Sequence, residues 1–461
     1  MPETTRSVDP HTEETIAEYP VATESEVAQA LDGAVATQLE WRSRPFAARA
    51  AALEEVAGRL LAERDQLAEL CTREMGKLIG EARAEVEKCA SVCRYYVEHA
   101  ERQLADEALD DDDARRSFVA RQPLGVVLAV MPWNFPYWQV FRCAVPALMA
   151  GNTVVLKHAG NVTGCSLAIE RTFRDIPGAE GILRSIVLDG ERAGRLIDDR
   201  RVAAVSLTGS TGAGRAIGAA AGGALKPSVL ELGGSDPFVV LDLEHEGDVI
   251  ENAVRSRYQN CGQSCIAAKR FIVLREVYDR FVGSFVARAS ELAPGDPLDP
   301  ATTLAPLARR DLRDEVGQQV EGSRRAGATV ALGGEVPART GWFYPATVLL
   351  HVQPGAPAYS EEVFGPVATI FRVEDDREAV ELANDSPFGL GGSVWCGDAE
   401  RALAVARAID SGAVYVNRMM ASDPRLPFGG IKHSGYGREL SHLGIREFVN
   451  EKTISVALEP E

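Results

Sequence analysis

Through residues 24–99, apolar side chains recur three and four positions apart, with charged residues on the faces between them. That period is helical, and it predicts helices at 24–39 and 46–61 and a run continuing from 66 to 99. The period then changes. Ser117-Phe-Val-Ala-Arg-Gln122 alternates as a half-buried strand does, and the acidic run 110–113 before it reads as the solvated tip of a protruding hairpin. From 124 to 240, short continuous apolar runs alternate with helical stretches, at 125–131, 153–157, 186–188, 202–207 and 237–241. Strands buried on both faces look like this, so a parallel sheet covered by helices follows, in outline a dinucleotide-binding architecture. A second α/β unit spans about 242–430 with strands at 270–274, 367–371 and 412–416, and 448–458 forms a last strand far from any partner in sequence.

At 461 residues the chain exceeds one ordinary domain. Its 46% hydrophobic and 25% charged residues are an ordinary globular balance that can fill more than one core. The net charge of −18 argues against nucleic-acid partners and anionic membrane surfaces, and it requires a local basic group wherever an anion binds. No apolar run reaches the roughly 18 residues of a membrane span. The opening Met-Pro-Glu-Thr-Thr-Arg-Ser lacks the apolar stretch of a signal peptide, so a cytoplasmic protein is expected. The eight cysteines are scattered, which suits reduced thiols. Cys89 and Cys93 stand one helical turn apart without a second Cys or His pair, so they read as helix packing and no metal is expected.

Candidate chemistry centres on Cys265, which sits among small and polar residues in Tyr258-Gln-Asn-Cys-Gly-Gln-Ser-Cys-Ile-Ala-Ala-Lys269. Glu231 lies upstream in Glu-Leu-Gly-Gly-Ser-Asp-Pro237, and Asn134 in Met131-Pro-Trp-Asn-Phe-Pro136. A thiol, a carboxylate and an amide suit covalent chemistry at a carbonyl: attack, proton transfer and oxyanion stabilisation. Leu207-Thr-Gly-Ser-Thr-Gly-Ala-Gly-Arg-Ala-Ile-Gly218 puts glycines between a strand and a helix, where free N–H groups can meet a pyrophosphate. It does not fit Gly-x-Gly-x-x-Gly, and a tight strand-to-helix connection is the plainer account. Lys157 ends a strand, where open α/β sheets bind ligands, although a strand-end lysine also simply meets solvent. Arg142 follows Asn134 by eight residues, just over two helical turns, and so returns to nearly the same face. An arginine among Trp138, Phe141 and Val145 needs an anion, either a substrate carboxylate or a neighbouring acidic side chain.

Taken together, Pro-Trp-Asn-Phe-Pro, Glu-Leu-Gly-Gly, Gly-Gln-Ser-Cys, Glu361-Glu-Val-Phe-Gly-Pro366 and Pro427-Phe-Gly-Gly-Ile-Lys-His-Ser-Gly435 resemble the aldehyde dehydrogenase superfamily, in the family's order and from about residue 8 to about 456. The resemblance implies an α/β fold with a Rossmann-like dinucleotide-binding domain (1–104 and 123–235), an α/β catalytic domain (236–432) and a small β oligomerisation element (105–122 and 445–461). It implies Cys265 as nucleophile, Asn134 as oxyanion donor and Glu231 as activator of the hydrolytic water. The implied cofactor residues are Trp133, Asn134, Lys157, Gly160, Gly209, Ser210, Leu232, Glu362 and Phe364. Lys157 would meet the adenosine ribose, Gly209 and Ser210 the pyrophosphate, and Glu362 and Phe364 the nicotinamide ribose.

The chain departs from the family pattern at informative places. Leu207 stands where Phe is usual. Lys157-His-Ala-Gly160 replaces the Lys-Pro-Ser-Glu of NAD-preferring members; without that carboxylate nothing repels a 2′-phosphate, so NADP is expected to be preferred and NAD accepted. Cys261 replaces a Thr or small residue, and reads as a buried thiol or as a reversible disulfide partner of Cys265. Arg142, Cys71-Thr-Arg-Glu-Met-Gly-Lys77 and Leu156-Lys-His-Ala159 resemble the bacterial NAD(P)-dependent succinate-semialdehyde dehydrogenase branch, with Arg257 and Ser422 as further carboxylate candidates. Gln259 stands where animal members place a second arginine. The expected reaction is oxidation of succinate semialdehyde to succinate. The alternatives are another small aldehyde, release of the thioester to CoA, or a cofactor-independent thiol esterase. The hairpin and last strand are expected to build a homodimer or homotetramer interface.

Overall fold

The computed structural model describes residues 3–109 and 115–457. The acidic run 110–113 and Leu458, the end of the expected last strand, lie outside the described residues. A hairpin of Thr4–Val8 and Thr15–Pro20, which the periodicity does not reveal, precedes four helices: α1 (Glu24–Trp41), α2 (Phe46–Ala62), α3 (Arg64–Met75) and α4 (Ile79–Gln103). The continuous run expected at 66–99 is therefore corrected to two helices. Gly76 takes φ +80° and ends α3 by donating its N–H to the Thr72 carbonyl at 2.8 Å. Its φ is one that L side chains avoid, and a Cβ there would also press on Pro306 at 3.0 Å.

The first sheet has the spatial order Gly435–Tyr436, Ser228–Glu231, Val202–Thr208, Val126–Met131, Thr153–His158, Leu183–Ser185, all parallel except the first. The expected strand at 186–188 falls instead at Leu183–Ser185. Ile186 and Leu188 are apolar because they pack with Val27 and Leu31 of α1, not because they pair in a ladder. The chain enters this sheet at Val126–Met131, grows outward to Leu183–Ser185, then crosses back to Val202–Thr208 on the other side. The strand order thus reverses between Val126–Met131 and Val202–Thr208, and such a reversal opens a ligand crevice at the carboxyl ends of the strands. Asn134, Lys157, Gly209 and Glu231 all lie at or just beyond those ends.

The second sheet runs Thr329–Leu332, Thr347–Leu350, Val367–Val373, Ala268–Leu274, Asp236–Val240, Gly391–Trp395, Ala413–Val416, and only its first strand is antiparallel. Cys265 enters it at the amino end of Ala268–Leu274, so the carboxyl edge of the first sheet meets the amino edge of the second at the site. Both sheets carry helices and the class is α/β, as expected. A third sheet pairs Glu107–Ala108, Arg115–Pro123 and Val449–Ala457, the last two in a nine-residue antiparallel register. Among the described residues no helix is long and apolar enough to cross a membrane.

Candidate active site

Cys265 is presented by a strained turn. Asn260, Cys261 and Gly262 take φ of 54°, 53° and 71° in succession, a left-handed run that non-glycine residues adopt only when their surroundings enforce it. Several groups enforce it here. Glu81 on α4 accepts the Asn260 N–H at 2.9 Å, and the Asn260 amide donates to the carbonyls of Asn134 at 2.8 Å and Gln263 at 3.1 Å. Lys269 then donates to the carbonyls of Ser264 and Cys265, each at 2.9 Å, and forms an ion pair with Glu362 at 3.3 Å. Burial pushes the Cys265 thiol up to about 12, with Arg142 and Lys269 opposing and Glu362 and Glu231 adding to it. In this state Cys265 is a protonated thiol that needs a base or an added positive charge to become reactive.

The amide and the carboxylate each lie near the Cys265 turn. Asn134 is buried, donates through Nδ2 to the Gln263 carbonyl at 3.1 Å, and keeps its second N–H for a ligand oxygen. Glu231, at the end of Ser228–Glu231, is 2% exposed, and neither carboxyl oxygen has a hydrogen-bond partner among the described residues. Burial raises its pKa well above the ordinary range, and the neighbouring Glu439 raises it further while Arg142 and Arg438 oppose. Such a group can take a proton near neutral pH.

Arg142 lies on α5 (Trp138–Met149) with its guanidinium over the Phe428 ring at 4.4 Å. Its carboxylate partner is Glu439, contacted directly, and Thr208 lies at 3.5 Å. Of the two anions considered for Arg142, the structure supplies the neighbouring acidic side chain.

The crevice on the other side fits an anionic dinucleotide. Lys157 has no ion pair among the described residues, and burial lowers its pKa while Asp189 opposes. Ser210 caps the helix Thr211–Gly223, accepting the Ala213 N–H at 3.3 Å, and beside Gly209 a Cβ would meet nothing closer than 3.6 Å. Leu232 is buried beneath that helix, where a Cβ on Gly214 would strike it, so it supports the helix from below. Glu362 accepts the Gly234 N–H at 3.0 Å, and Phe364 meets Trp133 edge-on at 5.7 Å. A Cβ on Gly234 would stand 2.5 Å from the Cys265 carbonyl oxygen, so glycine is required where the two sheets touch. At Gly160 a Cβ would stand 2.6 Å from the Thr5 hydroxyl of the N-terminal hairpin.

A cavity of about 470 Å³ reaches Cys265 and is lined by Phe135, Trp138, Arg142, Ser422 and Phe428, among others. Arg257 is corrected: it is fully buried and absent from that lining, and it donates to the carbonyls of Gly262 at 3.2 Å, Val363 at 3.4 Å and Gly365. It braces the strained turn, while Arg255, two positions earlier and so on the opposite helical face, lines the cavity. Cys261 packs into the core of the second sheet while Cys265 packs against that of the first, so the structure favours the buried thiol over the disulfide.

Sequence reasoning missed Glu81, Lys88, Lys269 and Glu439. One signal was available: Glu81, Glu85 and Lys88 are spaced i, i+4, i+7, a charged stripe on a helix face that otherwise reads as buried, and all three line the cavity.

Known proteins resemble this chain over nearly its whole length. A model described as "Aldehyde dehydrogenase family" matches residues 1–454. A Synechocystis sp. protein named probable succinate-semialdehyde dehydrogenase (NADP(+)) is 48% identical over 451 residues, covering 98% of this chain and 99% of that protein. The Mycobacterium tuberculosis H37Rv protein named succinate-semialdehyde dehydrogenase (NADP(+)) 1 is 47% identical over 453 residues, covering 98% and 99%. The crystal structure of succinic semialdehyde dehydrogenase from Streptococcus pyogenes in complex with NADP+ superposes with TM-score 0.95 at 38% identity, covering 98% of this chain and 100% of that one.

Proposed function

Because the chain belongs to the aldehyde dehydrogenase family, we propose that it oxidises succinate semialdehyde to succinate with NADP+ and accepts NAD+ as a second cofactor. The observation that carries the chemistry is that the Asn134 amide binds the turn presenting the Cys265 thiol while the buried Glu231 carboxyl, without a hydrogen-bond partner among the described residues, acts on that thiol electrostatically. Cys265 Sγ attacks the aldehyde carbon and its proton passes to a base, giving a thiohemiacetal oxyanion. The free Asn134 N–H and the Cys265 backbone N–H stabilise that oxyanion, each such donor being worth about 3 kcal/mol. Lys157, the Ser210 helix start and Glu362 would hold NADP+, which would supply the hydride acceptor. The carbon, left as a thioester on Cys265, is attacked by a water whose proton Glu231 takes, and Cys265 departs as the acid is released.

The direct test is reduced-nicotinamide formation over a panel of succinate semialdehyde, butanal and a cationic aldehyde, with each cofactor and no CoA. The expected result is the highest kcat/KM for succinate semialdehyde with NADP+. Butanal within about twofold of it sinks the substrate assignment, and NAD+ ahead by about tenfold sinks the cofactor preference. Acid formation without CoA excludes a CoA-acylating enzyme, and cofactor reduction excludes a thiol esterase.

Cofactor choice can be moved by design. Gly160→Glu combined with Thr5→Ala, which removes the hydroxyl the new side chain would strike, is expected to lower the NADP+ to NAD+ ratio of kcat/KM by about 10- to 100-fold. The carboxylate would repel a 2′-phosphate and accept from ribose hydroxyls. An unchanged ratio would show that Gly160 does not face the adenosine ribose.

Residues 1–104 with 123–235 are read as the dinucleotide-binding domain, 236–432 as the catalytic domain, and 105–122 with 445–461 as the oligomerisation element. Val449–Ala457 is the edge of its three-stranded sheet with most of its residues exposed, which supports pairing with another subunit in a homodimer or homotetramer. The cytoplasm is the proposed location.

A further inference from the structure

We propose that Lys88 is a specificity-determining residue of this site, its ammonium and the Ser422 hydroxyl together holding the terminal carboxylate of the aldehyde substrate. The proposal rests on the reading of the substrate as a carboxy-aldehyde. Lys88 projects from α4 into the cavity that reaches Cys265. The other charged groups lining this space mostly have counter-ions: Arg142 has Glu439, Arg288 has Glu251, and Glu85 has Lys77. Lys88 has none among the described residues. What it has are two neutral neighbours, the Ser422 hydroxyl at 2.6 Å and the face of the Trp138 ring at 4.3 Å.

A half-buried ammonium held only by a hydroxyl and an aromatic face is poised for an anion. Ser422 accepts from Lys88, which leaves its own O–H free, and Lys88 keeps two further N–H donors. The two side chains thus offer converging donors on the cavity wall. Arg142, the obvious carboxylate ligand by sequence, brings a charge that Glu439 already balances; of the lining cations without an ion pair among the described residues, Lys88 and Arg255, it is Lys88 that is held beside the Ser422 hydroxyl.

The surroundings give the residue a recognisable titration. Facing it are Glu85 and Cys89 from its own helix, Arg142 from α5, and Asp423 from the loop that carries Ser422. Burial, helped by the Arg142 charge, lowers the Lys88 pKa to about 8, with Cys89, Glu85 and Asp423 opposing. A cation with that pKa is present below it and lost above it. The KM for succinate semialdehyde should therefore rise as pH passes through about 8, while the KM for butanal does not follow.

The experiment compares kcat/KM for succinate semialdehyde and butanal, from pH 6 upward in steps to about pH 10, in the parent, Lys88→Met and Lys88→Arg. Expected are a fall of about 10- to 100-fold in the succinate semialdehyde to butanal ratio for Lys88→Met, retention of the ratio by Lys88→Arg, and loss of the alkaline rise in KM in Lys88→Arg, whose charge persists. A Lys88→Met ratio within about twofold of the parent's, or an alkaline rise unchanged in Lys88→Arg, overturns the role of Lys88 while leaving the substrate assignment standing. A parent with no preference for succinate semialdehyde removes the assignment and Lys88's role with it. The parent's own pH profile needs no variant, so a misfolded Lys88→Met leaves the proposal testable: a flat KM across the alkaline range overturns it.

Discussion

Cys265→Ala is expected to lower kcat by about 10⁴-fold or more while NADP+ affinity stays within about twofold of the parent's. Among the described residues the substitution removes the only group placed to form the proposed covalent intermediate, and Cys261 cannot stand in because it packs into the second sheet's core. It leaves Lys157, Ser210 and Glu362, the residues proposed to hold the cofactor, in place. Single-turnover formation of reduced nicotinamide measures the first quantity and nucleotide titration the second. Residual turnover above about 1% of the parent's would mean that hydride transfer does not require a thiohemiacetal. The same thiol offers a pH check. Because burial pushes it up to about 12, its alkylation by iodoacetamide in the cofactor-free protein should keep climbing across the alkaline range, the thiolate being the reactive form.

Glu231→Gln separates the two halves of the reaction. One equivalent of reduced nicotinamide per site should form at a rate near the parent's, followed by steady-state turnover about 10²- to 10⁴-fold slower as the thioester waits for unassisted water. A burst that disappears together with turnover would place Glu231 in the first half instead. The base must be deprotonated to work, and burial with the Glu439 charge raises its pKa, so kcat should rise with pH through that raised value. Glu439→Gln removes the repelling anion and frees the Arg142 charge, and both changes lower the Glu231 pKa. The rising limb of the kcat profile should accordingly move to lower pH, and a limb that stays put would show that the two carboxyls do not interact.

Much of this was legible in the sequence because it depends on local chemistry. Buried parallel strands show as continuous apolar runs, and those at 125–131, 153–157, 202–207 and 237–241 fall within a residue of the observed ones. Cys265, Glu231 and Asn134 stood out because each sits in a run of small or special residues, where the backbone must pass close to something. The structure shows one such close approach at Gly234, to the Cys265 carbonyl.

What chain order could not convey is where long side chains end. Lys88 and Ser422 are 334 residues apart, and nothing in either neighbourhood announces the other. Arg142 was recognised as a cation that needs an anion, but only folding brings up Glu439, which supplies one from the protein itself. Arg257 and Arg255 differ by two positions on one helix, which places them on opposite faces; which face packs inward is set by the sheet beneath, and it sent Arg257 to the Gly365 carbonyl instead of the cavity. The sequence by itself determined the α/β class, the candidate thiol with its amide and carboxylate companions, and the absence of an acid at position 160, because residue type and short spacing suffice for these. Tertiary structure decided the ionisation of Cys265 and Glu231 and which cations remain free for a substrate, because desolvation and pairing depend on neighbours that only the packing of the two sheets brings together.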